Sequence, residues 1–277
     1  MAGFDPSLNS VIVTSSNANS EFAKEGDTIT LSIDSNEHIQ PTVTFSVDDV
    51  DIASDRVTYN PTDGYDVSWN ASYEVSTIDT DGYIAYSIDF IDISNNPGNT
   101  VSATTNILVD ITEPVLTTID ASTNNTISDE IAIPDDTITF SFTFDNEITT
   151  PTVSYLSNGT VIDSSTRQIT ITSDDQITWT AAYVVHDDDA DGNSITYTIQ
   201  YTDLAGNVGD VATGTFTDIT IDTEKPTLSP VSIISNNTTD TAYATLADTI
   251  TLSFTASEEI NTPTVTFHHS GKTVDNT

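Results

Sequence analysis

The chain has 277 residues, which on length alone is enough for about two domains. It carries 43 acidic side chains against 5 Lys and Arg, a formal net charge of −38 at pH 7. That balance excludes a nucleic-acid partner, because binding a polyanion requires clustered basic residues, and it disfavours docking on anionic lipid. No apolar run is long enough for a transmembrane helix, so direct membrane insertion is not expected. Cysteine is absent, which excludes disulfides and thiolate metal sites.

Three copies of one sequence pattern follow each other along the chain. We assign the first copy to residues 1–110, the second to 111–222 and the third to 223–277. Each contains the same alternating run, which reads DTITLSI at 27–33, DTITFSF at 136–142 and DTITLSF at 248–254. A period of about 110 residues indicates an array of whole domains and not a solenoid of small units.

Within a copy, short alternating runs are separated by turn signals, a spacing typical of an all-β sandwich. The second copy predicts seven strands, near 115–121, 136–144, 151–157, 167–172, 176–185, 194–202 and 211–221. Alternation predicts that Ile138, Phe140 and Phe142 face the core. Trp179 and its counterpart Trp69 are predicted to be core anchors. The predicted fold class is all-β, a tandem of immunoglobulin-like seven-stranded β-sandwiches.

The third copy is expected to be incomplete. It ends just past the segment PTVTFHH and lacks the Trp-containing segment of the other two copies. About half a sandwich cannot bury its sheet faces. We favour the interpretation that residues 223–277 belong to a longer array, and the alternative is that another chain completes the half-domain.

Several further motifs recur in register with the period. They are E-I-x-T-P-T-V at 147–153, W-x-A-x-Y at 179–183, D-x-D-G, Y-x-D-x-A-G-N at 201–207 and a terminal D-T-x-x-P at 222–226. The combined set resembles the Ig-like tandem repeats of large bacterial and archaeal cell-surface proteins, including adhesins and S-layer-type proteins. The resemblance implies an extracellular, rigid or semi-rigid stalk. The first copy reads DISNNPGN at 92–99, where we expect an insertion that lengthens the D-x-A-G-N loop.

Calcium is the ligand that the acidic motifs favour. Asp187, Asp189 and Asp191 precede a glycine, and hard oxygen ligands at alternate positions before a sharp turn suit Ca²⁺. The first copy keeps only Asp79 and Asp81 before its glycine. The alternative interpretation is a negatively charged turn between strands E and F, held by Asp side chains that favour turns.

Sandwich topology places the E–F loop at the end of the domain where strand G leaves it. These carboxylates are therefore expected to meet the next repeat, and not the F–G loop of their own. The candidate calcium ligands at the first junction are Asp79, Asp81, Asp110 and Glu113, joined by Glu147 and Asp203 of the second repeat. Those at the second junction are Asp187, Asp189, Asp191, Asp222 and Glu224. A bound Ca²⁺ would neutralise the carboxylates and stiffen the hinge.

The function predicted from these features is a spacer or stalk in a secreted, acidic, adhesin-type cell-surface protein. Its expected partners are calcium or other cations and the neighbouring repeats. Two alternatives stay open: an S-layer or sheath lattice subunit whose acidic surface attracts cations, and a carbohydrate-binding accessory module with glycan contacts. An enzyme is not expected, because no G-x-S-x-G or H-E-x-x-H motif occurs and the acidic positions recur with the period.

Overall fold

A computed structural model describes residues 5–157, 159–162, 169–192, 195–270 and 272–273. It divides into two compact units, Met1–Asp222 and Thr223–Thr277. Apart from a 3₁₀ turn at Ser54–Arg56, the regular structure of the described residues is β-strand. No helix among them is long and apolar enough to cross a bilayer.

The first copy is a two-layer sandwich built around one long strand. Its strands are β1 (Leu8–Ser15), β2 (Phe22–Ala23), β3 (Thr28–Val47), β4 (Val50–Asp51), β5 (Thr58–Asn60), β6 (Asp66–Glu74), β7 (Gly82–Asp92) and β8 (Val101–Val109). The first half of β3 pairs with β1 and β6, and β5 extends the β6 edge. The second half of β3 crosses to the other layer, where it pairs with β7 and β4. Strand β8 pairs with β7, and β2 runs parallel to β8.

The second copy repeats this topology. Its strands are β9 (Leu116–Thr123), β10 (Ile131–Ala132), β11 (Thr137–Phe144), β12 (Thr152–Ser157), β13 (Thr160–Ile162), β14 (Thr170–Ser173), β15 (Thr178–Val184), β16 (Ile195–Gln200), β17 (Ala212–Phe216) and β18 (Thr220–Ile221). One layer has the order β14-β15-β11-β9 and the other β13-β12-β16-β17. The seven-stranded immunoglobulin-like prediction is confirmed. Parts of two predicted strands, at 167–168 and 194, lie outside the described residues.

Each copy has a separate hydrophobic core. One cluster is formed by residues between 23 and 109, and the other by residues between 132 and 221. Ile138, Phe140 and Phe142 are buried as predicted, and so are both tryptophans. The indole N–H of Trp69 donates to the Ile39 carbonyl at 3.0 Å, so the anchor buries its ring without losing a hydrogen bond.

The parallel strand pairs fix the point where each domain ends. The amide of Asp110 donates to the Ala23 carbonyl at 2.9 Å, directly after the β2–β8 pair. The amide of Asp222 donates to the Ala132 carbonyl at 3.0 Å, directly after the β10–β18 pair. An aspartate is therefore held at the exit of strand G in both copies.

The second unit contains a smaller sheet. Strand β19 (Leu228–Ser235) pairs antiparallel with β20 (Ile250–Ala256), and β21 (His268–His269) forms a short hairpin with β22 (Lys272–Thr273). The DTITLSF run forms β20 as its counterparts form β3 and β11. Ile250 is 49% exposed, whereas the equivalent Ile138 is 1% exposed. The third copy is thus an open sheet without a second layer in the described residues.

Candidate functional site at the junction of the first two copies

The E–F turn of the first copy is organised by Asp79. Its carboxylate accepts a hydrogen bond from the Ser76 amide at 2.9 Å and pairs with both terminal nitrogens of Arg56. Burial alone would raise the pKa of Asp79, but the hydrogen bonds from Arg56 and Ser76 and the charge of Arg56 outweigh it and hold that pKa below its ordinary value. This side chain therefore has a cationic partner within its own domain.

The same turn in the second copy is organised by Asp189. This residue is 6% exposed, and its carboxylate accepts hydrogen bonds from the His186 amide, at 2.8 Å, and from the Tyr183 hydroxyl. Asp187, two positions earlier, is exposed. The turn interpretation of the acidic motif thus has direct support at Asp79 and Asp189.

The second aspartate of the motif holds the linker that leaves the domain. Asp81 accepts hydrogen bonds from the Ile111 amide at 2.7 Å and from the Thr112 hydroxyl at 2.5 Å. The E–F loop therefore lies where strand G exits, as predicted. The glycine that follows begins strand β7 with φ +152°, and a Cβ there would lie 2.8 Å from the Asp48 Cβ. Close approach of Asp48 therefore explains Gly82.

The F–G loop is the same in both copies, so the expected insertion at 92–99 is wrong. Asp92 accepts hydrogen bonds from the Asn96 amide at 2.8 Å and its side chain at 2.7 Å. Asp203 accepts the same two bonds from Asn207, each at 2.8 Å. Asn95 with φ +64° occupies the place of Gly206 with φ +94°. Asn tolerates this left-handed conformation, so D-x-x-N-N forms the loop that D-x-A-G-N forms.

In the second copy this loop contacts the first copy. The side-chain amide of Asn207 donates to Asp203 and also to the Asp110 carbonyl, at 2.9 Å. From the first copy, the side-chain amide of Asn17 donates to the Ala205 carbonyl at 2.8 Å. Asn207 therefore connects the exit of one domain to the loop of the next.

The linker is also held by the second copy. The Val115 amide donates to Asp145 at 2.7 Å, and the Asp145 amide donates to the Val115 carbonyl at 3.1 Å. A Cβ on Gly209 would lie 2.7 Å from the Pro114 carbonyl oxygen. Asp81 on one side and Asp145 on the other thus restrain residues 111–115, which favours a fixed angle between the domains.

Negative charge accumulates at this junction. Asp110 is 7% exposed and Asp203 is 1% exposed, and neither forms an ion pair within the described part of the chain. Burial, followed by the charges of Asp203 and Asp81, raises the pKa of Asp110 to about 6. The charge of Asp203 therefore disfavours the ionised form of Asp110 at this junction.

An open pocket of about 310 Å³ borders these groups. Its polar lining includes Asp81, Asp110, Glu113, Asp145 and Asn146. Three predicted calcium ligands of the first junction therefore share one pocket, and Asn207 connects one of them, Asp110, to Asp203. Asp79 is engaged by Arg56, and Glu147 is exposed in the B–C loop. Asp145 was not among the predicted ligands, although its position two residues before Glu147 in the B–C loop was a signal.

Calcium binding at the predicted residues stays a prediction. Within the ranges that the structure describes, no three His, Asp or Glu side chains are grouped so as to hold a metal ion. The chemistry of the first junction nevertheless suits Ca²⁺, since its donors are all oxygens and two of its carboxylates are buried. For the second junction, Asp222 ends the first unit and Glu224 lies in the second.

Comparison with known proteins gives only structural likenesses. No protein-family model and no curated protein matches the chain. Among solved structures, the titin I-band fragment I67–I69 is similar at a TM-score of 0.43 and 12% identity, covering 99% of this chain and 83% of that one. The fibronectin(III)-like modules of Clostridium thermocellum CbhA reach a TM-score of 0.29 and 15% identity, covering 76% and 93%. The strand pairing of this chain itself defines its immunoglobulin-like architecture.

Proposed function

We propose that this chain is a spacer segment of a secreted, acidic cell-surface protein of the adhesin type, without enzymatic activity of its own. The observation that carries the proposal is the junction between the first two copies. A spacer must transmit its orientation from one domain to the next, and here Asn207 links two domains while Asp81 and Asp145 restrain the linker.

Calcium is the second part of the proposal. Asp110 and Asp203 are buried at the junction, and Asp81 and Glu113 border the adjoining pocket. Ca²⁺ takes six to eight oxygen ligands, and main-chain carbonyl and water oxygens can complete the set beside these carboxylates. An ion there would remove the repulsion between Asp110 and Asp203. We expect it to stabilise the junction more than either domain core.

The experiment is small-angle scattering and thermal melting of the full chain in calcium and in chelator. We expect calcium to raise the melting temperature and to leave an extended particle with a narrower distribution of distances. Asp203→Asn should remove the calcium response. Asp92→Asn is the matched control, because it alters the same loop cap in the first copy without altering the junction, and it should retain the response.

The outcomes separate the two parts of the proposal. An extended, narrow distribution that is unchanged by chelator would leave the spacer role standing and remove calcium from it. A chain that bends freely between residues 1–110 and 111–222 in both conditions would contradict the spacer role. Loss of the calcium response in Asp92→Asn to the same degree as in Asp203→Asn would place the ion away from the junction.

A further inference from the structure

The chain carries a modification motif that the proposed function does not use. The pattern N-x-S/T, with x other than proline, is the acceptor sequence for N-linked glycans. It occurs at five positions, Asn70, Asn124, Asn158, Asn236 and Asn237. Asn158 lies outside the described residues. The structure separates the other four, because an acceptor must present its carboxamide nitrogen and cannot hold it in a hydrogen bond or within a paired strand.

Asn124 and Asn236 occupy the same turn in two different copies. The Asn124 Oδ1 accepts a hydrogen bond from the Thr137 amide at 2.6 Å. The Asn236 Oδ1 accepts the equivalent bond from the Thr249 amide at 2.8 Å. Both asparagines are exposed, and neither Nδ2 has a hydrogen-bond partner among the described residues. The hydroxyl residues that complete the two motifs are exposed as well, Thr126 and Thr238.

The first copy shows that this turn needs an oxygen acceptor and no carboxamide nitrogen. Ser16 stands at the equivalent position, and its hydroxyl accepts the bond from the Thr28 amide at 2.9 Å. A glycan on Nδ2 would leave Oδ1 in place, because only an amide hydrogen is replaced. Ser16 is exposed although the adjacent Asn17 donates to the second copy, so a group attached at this position does not require the junction to open.

The other two described motifs are engaged in the fold. Asn70 lies in β6, which is hydrogen-bonded to β3 on one side and to β5 on the other. The Ser72 hydroxyl that completes its motif lies 3.1 Å from the Thr30 hydroxyl. The Nδ2 of Asn237 donates to the Asp248 carboxylate at 2.9 Å. Neither site therefore presents a free motif to a donor.

We propose that Asn124 and Asn236 are acceptor sites for N-linked glycans, and that Asn70 and Asn237 are not. The donor is a lipid-diphosphate-linked oligosaccharide. The carboxamide nitrogen forms a bond to C1 of the first sugar, the bond from C1 to the diphosphate oxygen breaks, and the lipid diphosphate leaves with the electron pair while one amide proton is released. N-glycosylation is a modification of secreted proteins, so the inference rests on the proposed function for access to the donor.

Glycosylation of the purified full chain in vitro tests the proposal. The probe is a single-subunit oligosaccharyltransferase with a lipid-diphosphate-linked oligosaccharide of known mass, and mass spectrometry counts and locates the glycans. Because the donor is supplied directly, failure of this test would leave the spacer role standing. Every chain carries Asn158→Gln, so that only motifs within the described residues contribute. A synthetic peptide of each motif gives its intrinsic rate, by which the rate in the chain is divided.

We expect two glycans on each chain, at Asn124 and Asn236. Their normalised rates should exceed that of Asn70 by at least about tenfold, because a site in a paired strand reacts only after local opening. Asn124→Ser is the matched variant, since it introduces the residue that the first copy has in this turn. It should lose one glycan and keep the melting temperature of the parent chain. Asn236→Ser leaves the motif of Asn237 intact and should leave residues 223–277 unmodified.

Any of four results would overturn the proposal. Equal normalised rates at Asn70 and Asn124 would mean that the fold does not select the site. An unmodified Asn124 in the chain, with a reactive peptide, would mean that the turn is closed to the donor. Modification of Asn237 in Asn236→Ser at the rate of Asn236 would show that its bond to Asp248 gives no protection. A lowered melting temperature of Asn124→Ser would show that the carboxamide nitrogen has a structural role.

Discussion

The first two copies provide different partners for the buried carboxylate of the same E–F turn. In the first, Asp79 is bound by Arg56, the guanidinium carbon lies 5.8 Å from the centre of the Tyr73 ring, and the Tyr73 hydroxyl has no hydrogen-bond partner among the described residues. In the second, the Tyr183 hydroxyl donates to Asp189. The carboxylate that caps the turn is common to both, whereas the tyrosine is a hydrogen-bond donor in one copy and only a core ring in the other.

The largest effect should come from removing the cation in the first copy. Arg56→Met leaves the Asp79 side chain, which is 2% exposed, without its ionic partner. Breaking a buried pair from one side costs about 3 kcal/mol. We expect a loss of that size in the free energy of unfolding of the first copy at pH 7. Urea denaturation followed by Trp69 fluorescence in a Trp179→Phe background would measure it.

The pH dependence of this variant provides its control. The folded-state pKa of Asp79 lies below its ordinary value of 3.8, so its stabilising contribution is present above that pH and is lost as pH falls through the folded-state pKa. Arg56→Met should therefore flatten the acid limb of the stability curve. An undiminished loss of stability at acid pH would contradict the assigned role of the ion pair.

The next largest effect on stability should distinguish Tyr183 of the second copy from Tyr73 of the first. Tyr183→Phe removes a hydrogen bond to a buried carboxylate and should cost about 2 kcal/mol, because bonds to charged groups are the stronger class. Tyr73→Phe removes a hydroxyl that has no partner in the described structure and should be neutral or stabilising. Fluorescence of the Trp in the affected copy reports each change. Equal losses would show that the two hydroxyls have equivalent surroundings.

Substitution of Asp110 at the junction should change the free energy of unfolding by a smaller amount, and that change should depend on pH. The pKa of Asp110 is raised to about 6 from 3.8, so the folded state binds its proton more tightly and stability falls as pH rises between those values. Asp110→Asn should therefore stabilise the calcium-free chain at pH 7. We expect about 1 to 2 kcal/mol, because the open pocket beside Asp110 screens part of the charge.

Two measurements check the Asp110→Asn prediction. Chemical denaturation in chelator should show the gain at pH 7 and its disappearance below about pH 4, where the carboxyl is protonated in both states. A gain that is independent of pH would mean that the charge is not its cause. In calcium the sign should reverse, since the variant lacks a proposed ligand.

Sequence periodicity predicted the fold because it reports which side chains are buried together. Alternation at Ile138, Phe140 and Phe142 and the repeated tryptophans were enough to place the sandwich layers. The strands β10 and β13 were missed because segments of two or three residues carry no alternation. The supposed insertion at 92–99 was wrong because Asn95 adopts the conformation for which a glycine was expected.

The candidate site was predicted only in part, for a physical reason. The predicted sandwich topology correctly placed Asp81, Asp110 and Glu113 together at one end of the first domain. Which carboxylate is already engaged depends on partners that are distant in sequence, such as Arg56 for Asp79. The role of Asn207 as the direct link between the domains likewise follows from a contact with Asp110, 97 residues away.

The smallest effect compares the two cores at one position. Tyr155 occupies the place of Phe45, stacks on Phe140 with ring centres 4.2 Å apart, and has a buried hydroxyl without a partner among the described residues. Tyr155→Phe should stabilise the second copy by about 1 kcal/mol, because an unsatisfied polar group is removed and the ring contacts remain.

The reverse change, Phe45→Tyr, should destabilise the first copy by a similar amount. Burial raises the pKa of Tyr155, so stability falls as pH rises above the ordinary value of 10.0, and Tyr155→Phe should weaken that alkaline limb in denaturation followed by Trp179 fluorescence. A loss of stability in Tyr155→Phe would mean that the hydroxyl has a partner, such as a buried water, and that the two cores differ by more than one oxygen atom.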